Sequence, residues 1–107
     1  MGNENIALTE AVYYILLSLH SPMHGYGIMQ NVAELSGDRV NLAAGTLYGA
    51  LDTMCKKWWI KELPGEKNSR KKQYEITDLG KEMVKNEIIR LRELLSNGEM
   101  IMGGKSK

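Results

Sequence analysis

Apolar side chains recur every three or four residues along four stretches of this chain and alternate along two shorter ones. In the first stretch Leu8, Val12, Ile15, Leu16 and Leu19 share a face. This predicts a helix over Leu8–His20, opened by Thr9 and Glu10 and stopped by Pro22. The second predicts a helix from Gly25–Tyr26 to Ser36, with Ile28, Met29, Val32 and Leu35 inward and Gly37 just past its end. Arg39–Leu42 alternates weakly and leads into a third helix over Ala44–Lys57, where Leu47, Tyr48, Leu51, Met54 and Cys55 are spaced for burial.

The period then changes. Trp58–Leu63 and Gln73–Thr77 read as two strands, the second with Tyr74 and Ile76 on one side. Between them Pro64–Lys72 has the Gly, Asn, Ser and basic composition of a hairpin loop. A last helix is expected over Asp78–Asn97, with Thr77 or Asp78 as its cap and Asn97–Gly98 as its stop. Its residues Val84, Ile88, Leu91 and Leu95 follow steps of 4, 3 and 4, close to a heptad seam that Met83 and Leu94 widen. The order helix, helix, helix, strand, strand, helix predicts a mainly α, α+β chain. Three short helices and a hairpin are the parts of a winged helix-turn-helix. The expected divisions are a winged helix-turn-helix domain over residues 1–77, a C-terminal dimerisation helix over 78–97 and a flexible tail over 98–107.

Composition narrows the class. The 107 residues are one domain's worth, 43% apolar and 25% charged, as in soluble globular domains. The longest uninterrupted apolar run, Ala11–Leu17, is far short of the roughly 20 residues of a membrane span. No basic residue precedes the first apolar stretch, so no secretory signal is visible, and the expected location is the cytoplasm. A single cysteine, Cys55, excludes an internal disulfide framework and any cysteine-based zinc cluster. The net charge of +1 is unevenly spread. Residues 1–38 hold no Lys or Arg and four acids, whereas residues 56–76 hold seven bases against three acids. A basic block on a near-neutral chain fits an anionic partner met by one surface, and fits a solvated loop equally.

Three ordered motifs resemble the PadR family of bacterial transcriptional regulators. They are Pro22-Met23-His24-Gly25-Tyr26-Gly27, then Leu42-Ala43-Ala44-Gly45-Thr46-Leu47-Tyr48-Gly49-Ala50-Leu51, then Arg70-Lys71-Lys72-Gln73-Tyr74-Glu75-Ile76-Thr77-Asp78-Leu79-Gly80. The likeness covers roughly residues 8–96, and the length matches the short subgroup with one dimerising helix after the wing. It implies a homodimeric repressor on an inverted-repeat operator, often relieved by a small hydrophobic ligand, with no cofactor. This chain departs from the family pattern at three places. Ala43 stands where relatives carry a capping Ser or Thr. Trp58 stands where many carry a turn Gly. No aromatic residue follows Tyr74, so stacking of a planar drug on the last helix is not carried over.

Candidate contacts to double-stranded DNA follow from both readings. Ala44, Gly45 and Thr46 open the third helix, where free N–H groups face phosphate. Tyr48 either adds a hydroxyl there or packs with Leu47 and Leu51. Near its start the helix carries no Arg, Asn or Gln for bidentate base reading, so shape and the wing are expected to matter. Lys67, Asn68, Ser69, Arg70, Lys71 and Lys72 form the wing, whose bases would neutralise phosphates. The resemblance makes Tyr26 a phosphate-contacting phenol; the competing reading is core. Val84, Ile88, Leu91 and Leu95 are the candidate dimer seam. Tyr13, Tyr14, Trp58, Trp59 and the Met residues are candidates for lining an effector pocket between subunits, or are simply core. His24 is expected to be a hydrogen-bonded structural residue. It cannot share a helical face with His20 as a metal ligand, because Pro22 lies between them, so no metal site is expected. No nucleophile spacing or phosphate loop points to an enzyme. The alternative function is a winged-helix module that binds protein through its last helix.

Overall fold

The three N-terminal apolar stripes meet in one interior. The computed structural model describes residues 7–64 and 72–103. Within them α1 (Glu10–Ser18), α2 (Gly25–Leu35) and α3 (Ala44–Lys56) bury Ile15, Leu16, Ile28, Val32, Leu47, Leu51 and Met54 against one another. The stripes converge because each is completed by the next; no single helix of this length hides its apolar face alone. Polar groups inside the bundle are paired, as burial requires. Ser18 Oγ donates to the Tyr14 carbonyl at 2.8 Å and accepts from Asn31 Nδ2 at 2.9 Å, tying α1 to α2.

Local chemistry sets the helix ends. Thr9 caps α1 by accepting from the Val12 N–H at 3.1 Å. His24 caps α2, its Nδ1 accepting from the Gly27 N–H at 3.4 Å, which is the structural hydrogen bond expected of it. Helix α2 stops where Gly37 and Asp38 both turn to positive φ, 61° and 65°. Helix α3 begins at Ala43 with suitable extended backbone and no side-chain cap.

A three-stranded antiparallel sheet closes the bundle, in the order β1–β3–β2. Strand β1 (Met23–His24) pairs with β3 (Gln73–Ile76), opposing Met23 to Tyr74, and β2 (Ile60–Leu63) pairs along β3 from Ile60↔Ile76 to Leu63↔Gln73. Sequence periodicity had no means of finding β1, since two residues between helices carry no alternation. The strand expected from Trp58 begins two residues later, because Trp58 and Trp59 end the helix instead. Trp58 adopts φ 64°, its N–H donates to the Cys55 carbonyl, and the Trp59 N–H reaches back to the Met54 carbonyl at 3.0 Å. This is the left-handed turn for which Gly is the usual residue, and here a Trp with 71% of its surface exposed occupies it.

Helix α4 (Asp78–Gly103) continues through Asn97–Gly98, where a stop was expected, to Gly103. Gly98 carries no positive φ and stays within the helix, followed by Glu99–Met102, which propagate it. Of the expected flexible tail, residues 98–103 are therefore helical and 104–107 lie outside the described residues.

Two junctions fix α4 to the domain. Thr77 caps it: its Oγ1 accepts from the Gly80 N–H at 3.0 Å, while its hydroxyl is shared between the Trp58 and Trp59 carbonyls. The second junction is a buried carboxylate. Glu87 accepts from the Leu8 N–H at 3.3 Å and from Arg90 at 2.9 and 2.7 Å. Arg90, and then the Leu8 N–H, hold the Glu87 carboxyl below the ordinary range against the opposing pull of burial.

Candidate nucleic-acid interface

The inward stripe of α3 leaves its opposite side open. Ala44, Gly45, Thr46, Tyr48 and Gly49 are exposed, while Leu47, Leu51 and Met54 face the core. Tyr48, with 49% of its surface exposed, is therefore not the core residue of the alternative reading. Its phenol lies across the start of α2. A Cβ on Gly25 would stand 2.1 Å from Tyr48 Oη, so only glycine leaves room for the ring at this crossing. Gly25 thus brings the first residue of α2 and the second turn of α3 together. Beside it Tyr26 is 62% exposed, with the Gln30 side-chain amide directed at its phenol oxygen at 3.4 Å. Tyr26, Thr46 and Tyr48 are accordingly exposed residues near adjoining helix starts.

With no side-chain cap from Ala43, the first N–H groups of α3 have no partner on that residue's side chain. Such donors, at the positive end of the helix dipole, suit an anion. Gln30 escaped the sequence reading; its spacing of four from Tyr26 on an exposed helix face was the available signal.

Lys67, Asn68, Ser69, Arg70 and Lys71 lie outside the described residues. Lys72 is exposed and pairs across the strands with Glu62 at 3.5 Å, as Lys61 does with Glu75 at 4.0 Å. Exposed pairs of this kind contribute little to stability and leave the cations accessible to another partner.

The seam on α4 divides. Val84 is buried in the core of the chain itself and Ile88 packs half-buried against the same core, because this part of the helix lies on α1. Val84 is thus spent inside the chain and corrects the four-residue seam. The outward apolar surface is made by Leu91, Leu94 and Leu95, and further on by Ile101 and Met102.

Among the described residues the four aromatic candidates take different surroundings. Tyr13 and Tyr14 pack on each other with ring centres 6.0 Å apart, and Trp58 is exposed. Trp59 alone of these four lines a cleft of about 380 Å³, with Leu8, Val12, Ala50, Met54 and Lys57. Lys57 Nζ stands 5.3 Å from the Trp59 ring centre. Among the described residues no group of three or more His, Cys, Asp or Glu side chains is arranged to hold a metal ion. Burial, and then Glu62, pushes both the Cys55 thiol and the Tyr74 phenol up, so neither ionises readily. Among the described residues no helix is long and apolar enough to cross a membrane.

Residues 14–86 match the Transcriptional regulator PadR-like family. The chain belongs to that family. Its PadR motifs fall inside the matched stretch, whereas Ile88, Leu91 and Leu95 lie beyond it. PadR-like proteins are regulators of transcription rather than enzymes. None of the curated proteins matches this chain. Among solved structures it is similar to a transcriptional regulator of Clostridium thermocellum, with 23% identity and a TM-score of 0.65 over 91% of this chain and 92% of that one. A PadR family regulator of Clostridium difficile aligns with 24% identity and a TM-score of 0.70, over 85% of this chain and 97% of its own. Both share the fold. Bacillus subtilis PadR in complex with operator DNA aligns with 25% identity and a TM-score of 0.64, over 73% of this chain and 46% of that longer one.

Proposed function

We propose that this PadR-like chain is a cytoplasmic homodimeric repressor that binds an inverted-repeat operator. The observation that carries the reading is the exposed cluster of Tyr26, Thr46 and Tyr48 at the adjoining starts of α2 and α3, held there by Gly25. A helix entering a major groove by its N-terminal end meets phosphates with those N–H and O–H groups. The operator complex of Bacillus subtilis PadR supports the same use of the fold. The wing bases Lys67, Arg70, Lys71 and Lys72 would grip the flanking backbone.

A second copy is supported by α4, whose Leu91, Leu94 and Leu95 are exposed on a helix that no later element of the described chain covers. Two such copies related by a two-fold axis read two half-sites in opposite orientation. The apolar cleft beside Trp59 supports a small hydrophobic effector, since Ala50, Met54 and Lys57 on its wall lie on α3 or at its end.

The test neutralises Lys67, Arg70, Lys71 and Lys72 to Gln together. Operator affinity should fall, and the slope of log affinity against log salt should flatten by about 3 to 4, roughly 0.9 for each phosphate that is no longer neutralised. An unchanged slope overturns the wing assignment. A wild-type chain that binds no duplex at low ionic strength while retaining a protein partner favours the interaction-module reading.

A further inference from the structure

The face of α4 that docks on its own domain continues past the domain. Met83, Val84, Glu87 and Ile88 turn that face towards α1 and the segment before it. Leu91, Leu94, Leu95, Ile101 and Met102 prolong it, and all five are exposed. Val84, Ile88, Leu91, Leu95, Gly98 and Met102 follow steps of 4, 3, 4, 3 and 4, so one heptad seam runs from the covered half of the helix into the bare half. The bare half, residues 91–103, extends for about 18 Å. A Cβ on Gly98, in the middle of it, would meet nothing within 4 Å, so its own chain does not use the room that glycine leaves.

We infer, resting on the homodimer proposed above, that a second copy docks antiparallel on this bare half, with Leu95 seated against the partner's Gly98 and Arg92 paired with the partner's Glu99. A parallel copy would drive the two domains, which lie on that same face of each helix, into each other. An antiparallel copy sets bare half against bare half. Shifting it by a heptad one way lays the partner's Met102 on Val84, which the core already covers. Shifting it the other way leaves Leu91 and Leu94 uncovered by the described helix. The register between these covers the whole bare half, with Leu91 facing the partner's Met102 and Leu95 the partner's Gly98. Charge, which played no part in that choice, agrees with it. Arg92 and Glu99 flank the seam at equivalent heptad positions, and in an antiparallel pair such positions meet each other. Neither has an opposite charge three or four residues away on its own helix, whereas two copies in this register pair them twice. On the other flank Leu94 meets the partner's Ile101. The two domains then sit at opposite ends of the paired helices, their Val84 positions about 37 Å apart along the axis. That is on the scale of the roughly 34–36 Å between half-sites one DNA turn apart.

The experiment uses the full-length chain. Arg92→Glu and Glu99→Arg should each weaken the dimer about 5- to 30-fold in sedimentation equilibrium at low salt. Both substitutions in one chain should restore it, because the pairs reform with their charges exchanged. Orientation is read by cross-linking in a Cys55→Ala background. Leu91→Cys chains left to exchange with Met102→Cys chains should oxidise to a linked pair containing one of each. Leu91→Cys alone should not link, since an antiparallel pair holds its two copies about 16 Å apart along the axis. Linkage of Leu91→Cys to itself, or charge losses that add rather than cancel, overturns the inference and leaves the homodimer standing. A dimer that neither charge variant weakens also overturns it, the interface then lying elsewhere. A wild type that stays monomeric at every concentration removes the homodimer, and the inference with it.

Discussion

Gly80→Ala isolates the junction that aims α4. A Cβ there would stand 2.1 Å from the Trp59 carbonyl oxygen and 2.7 Å from Ile76 Cγ1. An ordinary carbon–oxygen contact is about 3.3 Å, so the first turn of α4 and the Trp59 backbone must separate by about 1 Å. Neither side yields easily. The same carbonyl accepts from the Thr77 N–H at 3.0 Å and from Thr77 Oγ1 at 3.0 Å, and Trp59 is itself tied back to Met54. Forcing a methyl group into such a contact costs about 2 kcal/mol. Weakening the two bonds to Trp59 adds about 1 kcal/mol each. Replacing glycine within the helix returns at most about 1 kcal/mol. The expected net loss is about 3 kcal/mol, a large share of the roughly 5–15 kcal/mol that holds a domain folded. Urea unfolding at one fixed protein concentration, followed by Trp fluorescence and far-ultraviolet circular dichroism, measures it as a lower midpoint at unchanged slope. Gly49→Ala is the matched control: with open space at its Cβ it should raise the midpoint by up to about 1 kcal/mol equivalent. A loss below about 1 kcal/mol for Gly80→Ala refutes the argument, because the junction would then have moved without cost.

Further expectations follow from other features of the fold. Leu91→Asp with Leu95→Asp should give a folded monomer by sedimentation, since both side chains are exposed in the protomer and the core loses nothing; a persistent dimer moves the interface elsewhere. Ala43→Ser should stabilise by about 1 kcal/mol in thermal unfolding, because the backbone at 43 already has cap geometry and lacks only the side-chain acceptor; no gain would mean that the first N–H groups of α3 are satisfied otherwise. Glu87 should make the protein acid-sensitive. Its folded-state carboxyl titrates below the ordinary range, so its contribution is present above the unfolded carboxylate value and lost as pH falls through the folded one. Glu87→Gln should flatten that acid limb of stability against pH, and superimposable limbs would refute the role.

Much of the architecture was legible because it is written in periodicity. The stripes of α1, α2 and α3 and the alternation of β3 each need only a window of neighbours, and all four elements lie where the pattern put them. The candidate interface was legible as residue types, in Thr46, Tyr48 and Tyr26, but not as a surface. Tyr48 recurs with Leu47 and Leu51 at spacings that read as burial. What the tertiary structure adds is Gly25, a residue 23 positions away, whose missing side chain gives the half-exposed ring a place against the start of α2. Val84 illustrates the reverse case. It belongs by spacing to a seam, yet α1 claims it, and a helical stripe does not say which of two neighbours will cover it.

By itself the sequence determined the number and type of the main elements, the family motifs and the position of the basic hairpin, because these depend on local periodicity and on residue chemistry. Only the tertiary structure decided that Met23–His24 is a strand, that Trp58 takes a left-handed turn, and that α4 is docked through Thr77 and Glu87. Each of those outcomes rests on a contact between distant segments. Its free energy exists only when both segments are in place, and no window along the chain contains both partners.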